Sequence, residues 1–175
     1  VRSSAASDVY KRQLEENFGT ESGYLGFLRD STSAAQRLCH ILSNSRFLGD
    51  ALNKSVESIS WLGDDGNLQA RTREALDVQT GSALERFGSN INEFANSMRA
   101  MRRHEIERIG LSWMSGVISD SDSLKAMTDV YDAIIDVSLT WAVHHQIAAF
   151  GVETAPAGIT VIAMGRYGGR EVNFS

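Results

Sequence analysis

Gly158-Ile-Thr-Val-Ile-Ala-Met-Gly-Arg-Tyr-Gly-Gly-Arg-Glu-Val-Asn-Phe-Ser175 is the stretch on which the reading of the fold turns. Ile159 to Met164 form the clearest β-strand pattern in the chain, a short apolar run rich in β-branched residues. Gly165, Gly168 and Gly169 follow at once as a glycine-studded loop. A buried strand that hands glycines to a turn can bring backbone N–H groups up to phosphate oxygens. By themselves these glycines are a weak signal. Gly165-x-x-Gly168-Gly169 lacks the Lys-Ser/Thr of a P-loop and the spacing of a dinucleotide site. A tight turn is the plainer reading.

Upstream, from Leu14 to Phe150, the pattern is helical throughout. The single proline, Pro156, lies beyond these helices and breaks none of them. Ser33-Ala-Ala-Gln36 reads as a capping box before Ala35, Leu38, Cys39 and Leu42, which recur at helical spacing. Ser55 is placed to cap a short helix with Val56, Ile59 and Leu62 inward, and Asp64-Asp65-Gly66-Asn67 reads as a loop. A helix is expected from about Leu68 to Phe87, closed by Gly88. Asn90, with Glu93 three residues on, opens a longer one along Ile91, Phe94, Met98 and Met101. Ser119 to Ser123 offer caps for a last helix whose broad side includes Met127, Tyr131, Ile134 and Trp141. A linker, 151–158, then leads to the strand. One strand cannot satisfy its own backbone groups, so its sheet partners are expected beyond Ser175. The fold class read here is mainly α, with a helical segment (14–150) ahead of the first strand and glycine loop of an α/β domain (158–175).

Composition is that of an ordinary globular chain: 42% apolar and 22% charged residues, with a formal net charge of −5. That balance argues against a broad basic surface for nucleic acid, and no run approaches the roughly 20 apolar residues of a membrane span. Cys39 is the only cysteine, excluding an internal disulfide and a cysteine zinc cluster. Its neighbours suggest a packing role, and a cytoplasmic setting is expected. Val1 to Gln13 match no structural pattern, resemble translated adaptor sequence, and are set aside as a non-native leader. Both ends read as cut.

Two charged constellations need weighing. His104-Glu105-x-x-Arg108 is not a zincin motif, because arginine stands where the second histidine would be. Adjacent His144 and His145 diverge by about 100° on a helix, so neither pair suggests a metal site. Glu105 can reach Arg102 or Arg108 at three-residue spacing. A solvated charged face competes there with a set of ties to a neighbouring element or a phosphate.

The whole run Met164 to Ser175 resembles the signature of the glutamine synthetase adenylyltransferases, also called glutamate–ammonia-ligase adenylyltransferases. In that family an apolar strand leads into G-M-G-[KR]-x-G-G-x-E-[LV]-[NG]-[YF]-[SG], and an S-D-x-D pair follows. Gly165, Arg166, Gly168, Gly169, Glu171, Asn173, Phe174 and Ser175 fit, while Ala163 replaces a glycine. Leu25-Gly-Phe-Leu-Arg-Asp30, Ala35-Gln-Arg-Leu38 and Leu42-Ser-Asn-Ser-Arg46 resemble the helical region before the family's second catalytic domain. Met101-Arg-Arg-His-Glu-Ile-Glu-Arg-Ile109 resembles its L-R-R-x-E-[LI]-x-R-I helix and favours a structural role for that charge cluster.

The resemblance implies a DNA polymerase β-like nucleotidyltransferase. One catalytic domain of such enzymes attaches AMP from ATP to a tyrosine of glutamine synthetase, and a related one removes it by phosphorolysis. Glutamine and the P-II signalling protein carry the nitrogen signal. By the same resemblance Gly168, Gly169 and Ser175 are the nucleotide-binding positions. The cofactors would be ATP and Mg²⁺, and the metal-holding Asp-x-Asp would begin past Ser175, so no catalytic or metal-ligating residue is assigned within the chain. The helical context favours the adenylylating domain. The alternatives are the AMP-removing domain and a helical docking module for P-II or the synthetase.

Overall fold

The computed structural model describes residues 22–151 and 159–174. The leader 1–13, the expected helical start at Leu14, the linker proline Pro156 and Ser175 lie outside the described residues. Among the described residues, every regular element is helical. In order they are α1 (Ser22–Asp30), α2 (Thr32–Asn44), α3 (Arg46–Lys54), a 3-10 helix (Val56–Gly63), α4 (Asp65–Leu68), α5 (Arg73–Phe87), α6 (Ile91–Met114), α7 (Asp120–Phe150) and a single turn, α8 (Gly165–Gly168). They divide into two compact units, one of residues up to 70 with 107–120, the other of 71–106 with the residues from 121 onward. The sequence reading drew no such division within 14–150; α6 supplies residues to both units.

In the first unit, Ala34, Leu38, Ile41 and Leu42 make one buried stripe on α2, and Leu48 and Leu52 continue it on α3. Ile59, Leu62, Leu68 and Leu111 close the same core. Burying each such side chain stabilises by roughly 1.5–3 kcal/mol before the entropy of ordering is counted. Two local expectations shift. Ser31, not Ser33, caps α2: its backbone is extended and its hydroxyl accepts from Ala34 N–H at 3.3 Å. The expected loop at 64–67 is a helical turn, because the Asp64 carboxylate accepts from Gly66 N–H at 3.2 Å and starts α4. Arg37 holds that turn to α2, donating to the Leu62 carbonyl at 2.9 Å and to the Asp65 carboxylate. Cys39 is exposed, so the packing role expected for it is not realised; it lies off the buried stripe.

In the second unit, α5 starts at Arg73, capped by Thr72, about five residues later than its pattern suggested. Phe94, Met98 and Val137 form a small core against Leu84, Phe87 and Trp141. Phe94 and Trp141 stack with ring centroids 6.1 Å apart, and the Trp141 indole donates to the Gly88 carbonyl at 2.7 Å. Asn90 caps α6 as expected, its side-chain oxygen accepting from the Asn92 and Glu93 N–H groups, but the box is not reciprocal: Glu93 accepts from the Asn90 side-chain amide, and the Asn90 backbone N–H donates to the Phe87 carbonyl.

The expected strand 159–164 is not formed. These residues carry no ladder, and Ile159, Val161, Ile162 and Met164 are exposed, Met164 to 82%. A strand exists only through hydrogen bonds to a neighbour, and no described segment pairs with this one.

Candidate nucleotide-binding turn

The glycine motif closes one turn of helix and stops it at once. Met164 is extended, Gly165 takes φ +62°, and the Gly168 and Gly169 N–H groups donate to the carbonyls of Met164 (3.2 Å) and Gly165 (3.0 Å). The chain leaves through a 6→1 bond, Glu171 N–H to Arg166 carbonyl at 2.8 Å, with a 5→2 bond from Arg170 N–H to Tyr167 at 3.1 Å nested inside it. That is the Schellman pattern, whose left-handed position glycine usually fills. Here Arg170 fills it, at φ +59°. At Gly168 a β-carbon would lie 2.6 Å from the Ala163 carbonyl oxygen, so the turn closes only around a glycine.

The structure therefore changes what the two glycines expected to bind nucleotide do locally. Their N–H groups are used inside the turn, and what they leave is a stretch of bare backbone. Ser175, the third expected position, lies outside the described residues.

Residues that the sequence reading passed over hold this turn on α7. The Tyr167 hydroxyl donates to Asp132 Oδ1 at 2.5 Å, and its ring meets Tyr131 edge to face at 6.4 Å. Arg170 donates to the Asp129 carboxylate and stands 3.6 Å from Asp132 Oδ2. From α5, Arg73 approaches Asp132 Oδ2 at 3.6 Å, donates to Asp77 at 2.8 Å and also to Asp136. Burial and then the Asp132 carboxylate push the Tyr167 phenol above its ordinary range, so it stays a donor at every physiological pH. Burial alone would lower the Arg73 guanidinium, but Asp77 and Asp136 more than offset this. A signal for the network was present: Asp129, Asp132 and Asp136, spaced i, i+3 and i+7, share one side of a helix.

The charge cluster on α6 is structural where it is buried. Glu105 is 1% exposed and accepts from Arg71 at 2.9 Å, a partner outside its own helix. Arg108 donates to the Asn67 carbonyl and lies 4.0 Å over the Trp61 ring. Arg102 and Arg103 are exposed. His144 and His145 are also exposed, with His145 stacked on Trp141 at 4.8 Å. Among the described residues no group of three or more His, Cys, Asp or Glu is arranged to hold a metal ion, and no helix is long and apolar enough to cross a membrane. The carboxylates nearest the turn are engaged by Arg73, Tyr167 and Arg170, which does not fit them to Mg²⁺.

Residues 35–175 match a family model described as glutamate-ammonia ligase adenylyltransferase. The chain is 98% identical over 164 residues to the bifunctional glutamine synthetase adenylyltransferase/adenylyl-removing enzyme of Bifidobacterium longum subsp. infantis. Proteins of the same name from Leifsonia xyli and Mycobacterium tuberculosis are 34% and 31% identical over 163 and 166 residues. These alignments take in 93–94% of this chain but only 15–16% of each relative. No solved structure matches.

Proposed function

The chain belongs to the glutamate-ammonia ligase adenylyltransferase family, and from that premise we infer that it is the part of such an enzyme that leads into its nucleotide site. In the intact enzyme, ATP would lie with its phosphates against the bare backbone of Gly168 and Gly169, with Ser175 at the exit of the turn. Residues 159–164 would join a sheet supplied by the rest of the enzyme. The reaction is transfer of AMP to a tyrosine of glutamine synthetase. The phenolic oxygen bonds to the α-phosphorus, the bond from that phosphorus to the bridging oxygen breaks, and pyrophosphate leaves as the phenol gives up its proton. Mg²⁺ would be held by an Asp-x-Asp pair following Ser175 and would neutralise phosphate charge. Glutamine and the P-II protein would set the direction of the reaction.

The observation that carries this reading is the geometry at Gly168 within a family match that runs through the turn: a glycine that backbone contact alone makes obligatory sits where the family's pattern has one. Two assays of the full-length enzyme test it with Gly168→Val. One follows label from α-labelled ATP onto the synthetase; the other follows phosphate-dependent release of ADP from AMP-modified synthetase. Loss of the first with retention of the second is expected. The reverse result would assign the turn to the removing half, and retention of both would refute a nucleotide role.

A further inference from the structure

Tyr167 and Arg170 occupy the two positions of the glycine motif that its pattern leaves open, yet both side chains end on carboxylates of α7. Their partners are not loosely held. Asp129 is 15% exposed and Asp132 26%, and Arg73 reaches Asp132 from α5. Arg170 is the sharper case. An L residue in the left-handed region is disfavoured by contact of its β-carbon with the backbone, glycine would fill the position without that penalty, and arginine stands there regardless. Strain kept at a motif calls for something the side chain does. Here the side chain reaches two carboxylates of α7, one by a hydrogen bond and one at 3.6 Å.

We propose that Tyr167 and Arg170 are positioning residues that fasten the glycine turn to the Asp129–Asp132 row of α7, so that α7 sets where the nucleotide's phosphates are received. The proposal rests on the nucleotide reading of the turn given above. Neither residue touches the reacting atoms. Each fixes backbone against which the phosphates would lie, and a site that is no longer held in its binding geometry pays that ordering cost when the substrate binds. Arg73 also engages Asp132 and Asp136 of the row, which ties α5 into the same arrangement.

The test uses the full-length enzyme and measures kcat and the KM for ATP in AMP transfer, with thermal unfolding alongside. Tyr167→Phe removes one hydrogen bond to a charged acceptor, and a rise in ATP KM of roughly tenfold is expected with kcat within about twofold. Arg170→Gly separates anchoring from backbone strain. It relieves the left-handed residue yet loses both carboxylate contacts, so KM should still rise severalfold, while Arg170→Lys should recover part of the loss. Gly168→Val serves as the reference for the nucleotide reading. If KM is raised in Gly168→Val but unchanged in Tyr167→Phe and Arg170→Gly, the positioning role is overturned and the nucleotide site stands. If those two variants lose only thermal stability, the same conclusion follows. If Gly168→Val itself leaves KM and kcat unchanged, the nucleotide reading falls, and the proposal falls with it.

Discussion

At Gly168 a β-carbon would sit 2.6 Å from a carbonyl oxygen, whereas at Gly169 its nearest neighbours would be 3.6 Å away, an ordinary contact. Gly168→Ala should therefore open the turn and speed hydrogen exchange at the Gly169 and Glu171 amides, while Gly169→Ala should leave both slow. Equal exchange in the two variants would contradict the account. Spacing made both glycines visible in the sequence, but only coordinates separate the one that backbone geometry requires from its neighbour. Glu107 is a second residue whose state sequence could not reveal. Burial raises its carboxyl above the ordinary value of 4.5, with the Ser58 and Ser55 hydroxyls acting the other way. The unfolded chain then releases its proton first as pH rises, so the native state loses stability from about pH 4.5 upward until the folded group also ionises. Glu107→Gln should remove that loss. Its melting temperature, relative to that of the parent chain, should climb across this window; a difference independent of pH would show that burial has no such effect.

Among the elements, α6 and α7 show how far periodicity reaches. The Asn90 cap and the buried Phe94, Met98 and Met101 on α6 were legible, because a local cap and a 3.6-residue stripe are both written in neighbouring positions. The destination of Glu105 was not. Its partner, Arg71, is 34 residues away in sequence, beyond any i, i+3 or i+4 rule. Arg71→Ala should thus destabilise the chain by roughly 1–3 kcal/mol, as expected when a buried charged group loses a hydrogen bond. The exposed Arg102→Ala should change stability by no more than about 0.5 kcal/mol. Denaturant midpoints at constant m-value distinguish these cases, and equal effects would return the cluster to a solvated face. On α7 the carboxylates at 129, 132 and 136 were visible as a row, but a row of acids has no meaning until the arginines and the tyrosine that meet it are known.

For the whole molecule, the mainly helical class follows from patterns that each element carries within itself, and it holds among the described residues. Ile159 to Met164 carry the opposite lesson. Their composition is that of a strand, but a strand is a relation between segments, and its apolar side chains are exposed when no partner is present. The division into two units was not drawn from sequence either, although it cuts α6 after Ile106, close to where the apolar seam through Met101 slips by one residue. The central claim, that the glycine turn receives the phosphates of ATP in the intact enzyme, can be put to one direct measurement. The full-length protein is irradiated with ATP carrying a photoreactive group on its γ-phosphate, and the crosslinked peptide is identified by mass spectrometry. The account predicts label within residues 164–175, competed away by unmodified ATP and lost in Gly168→Val. Competable label confined to other parts of the enzyme, with none on this peptide, would contradict it.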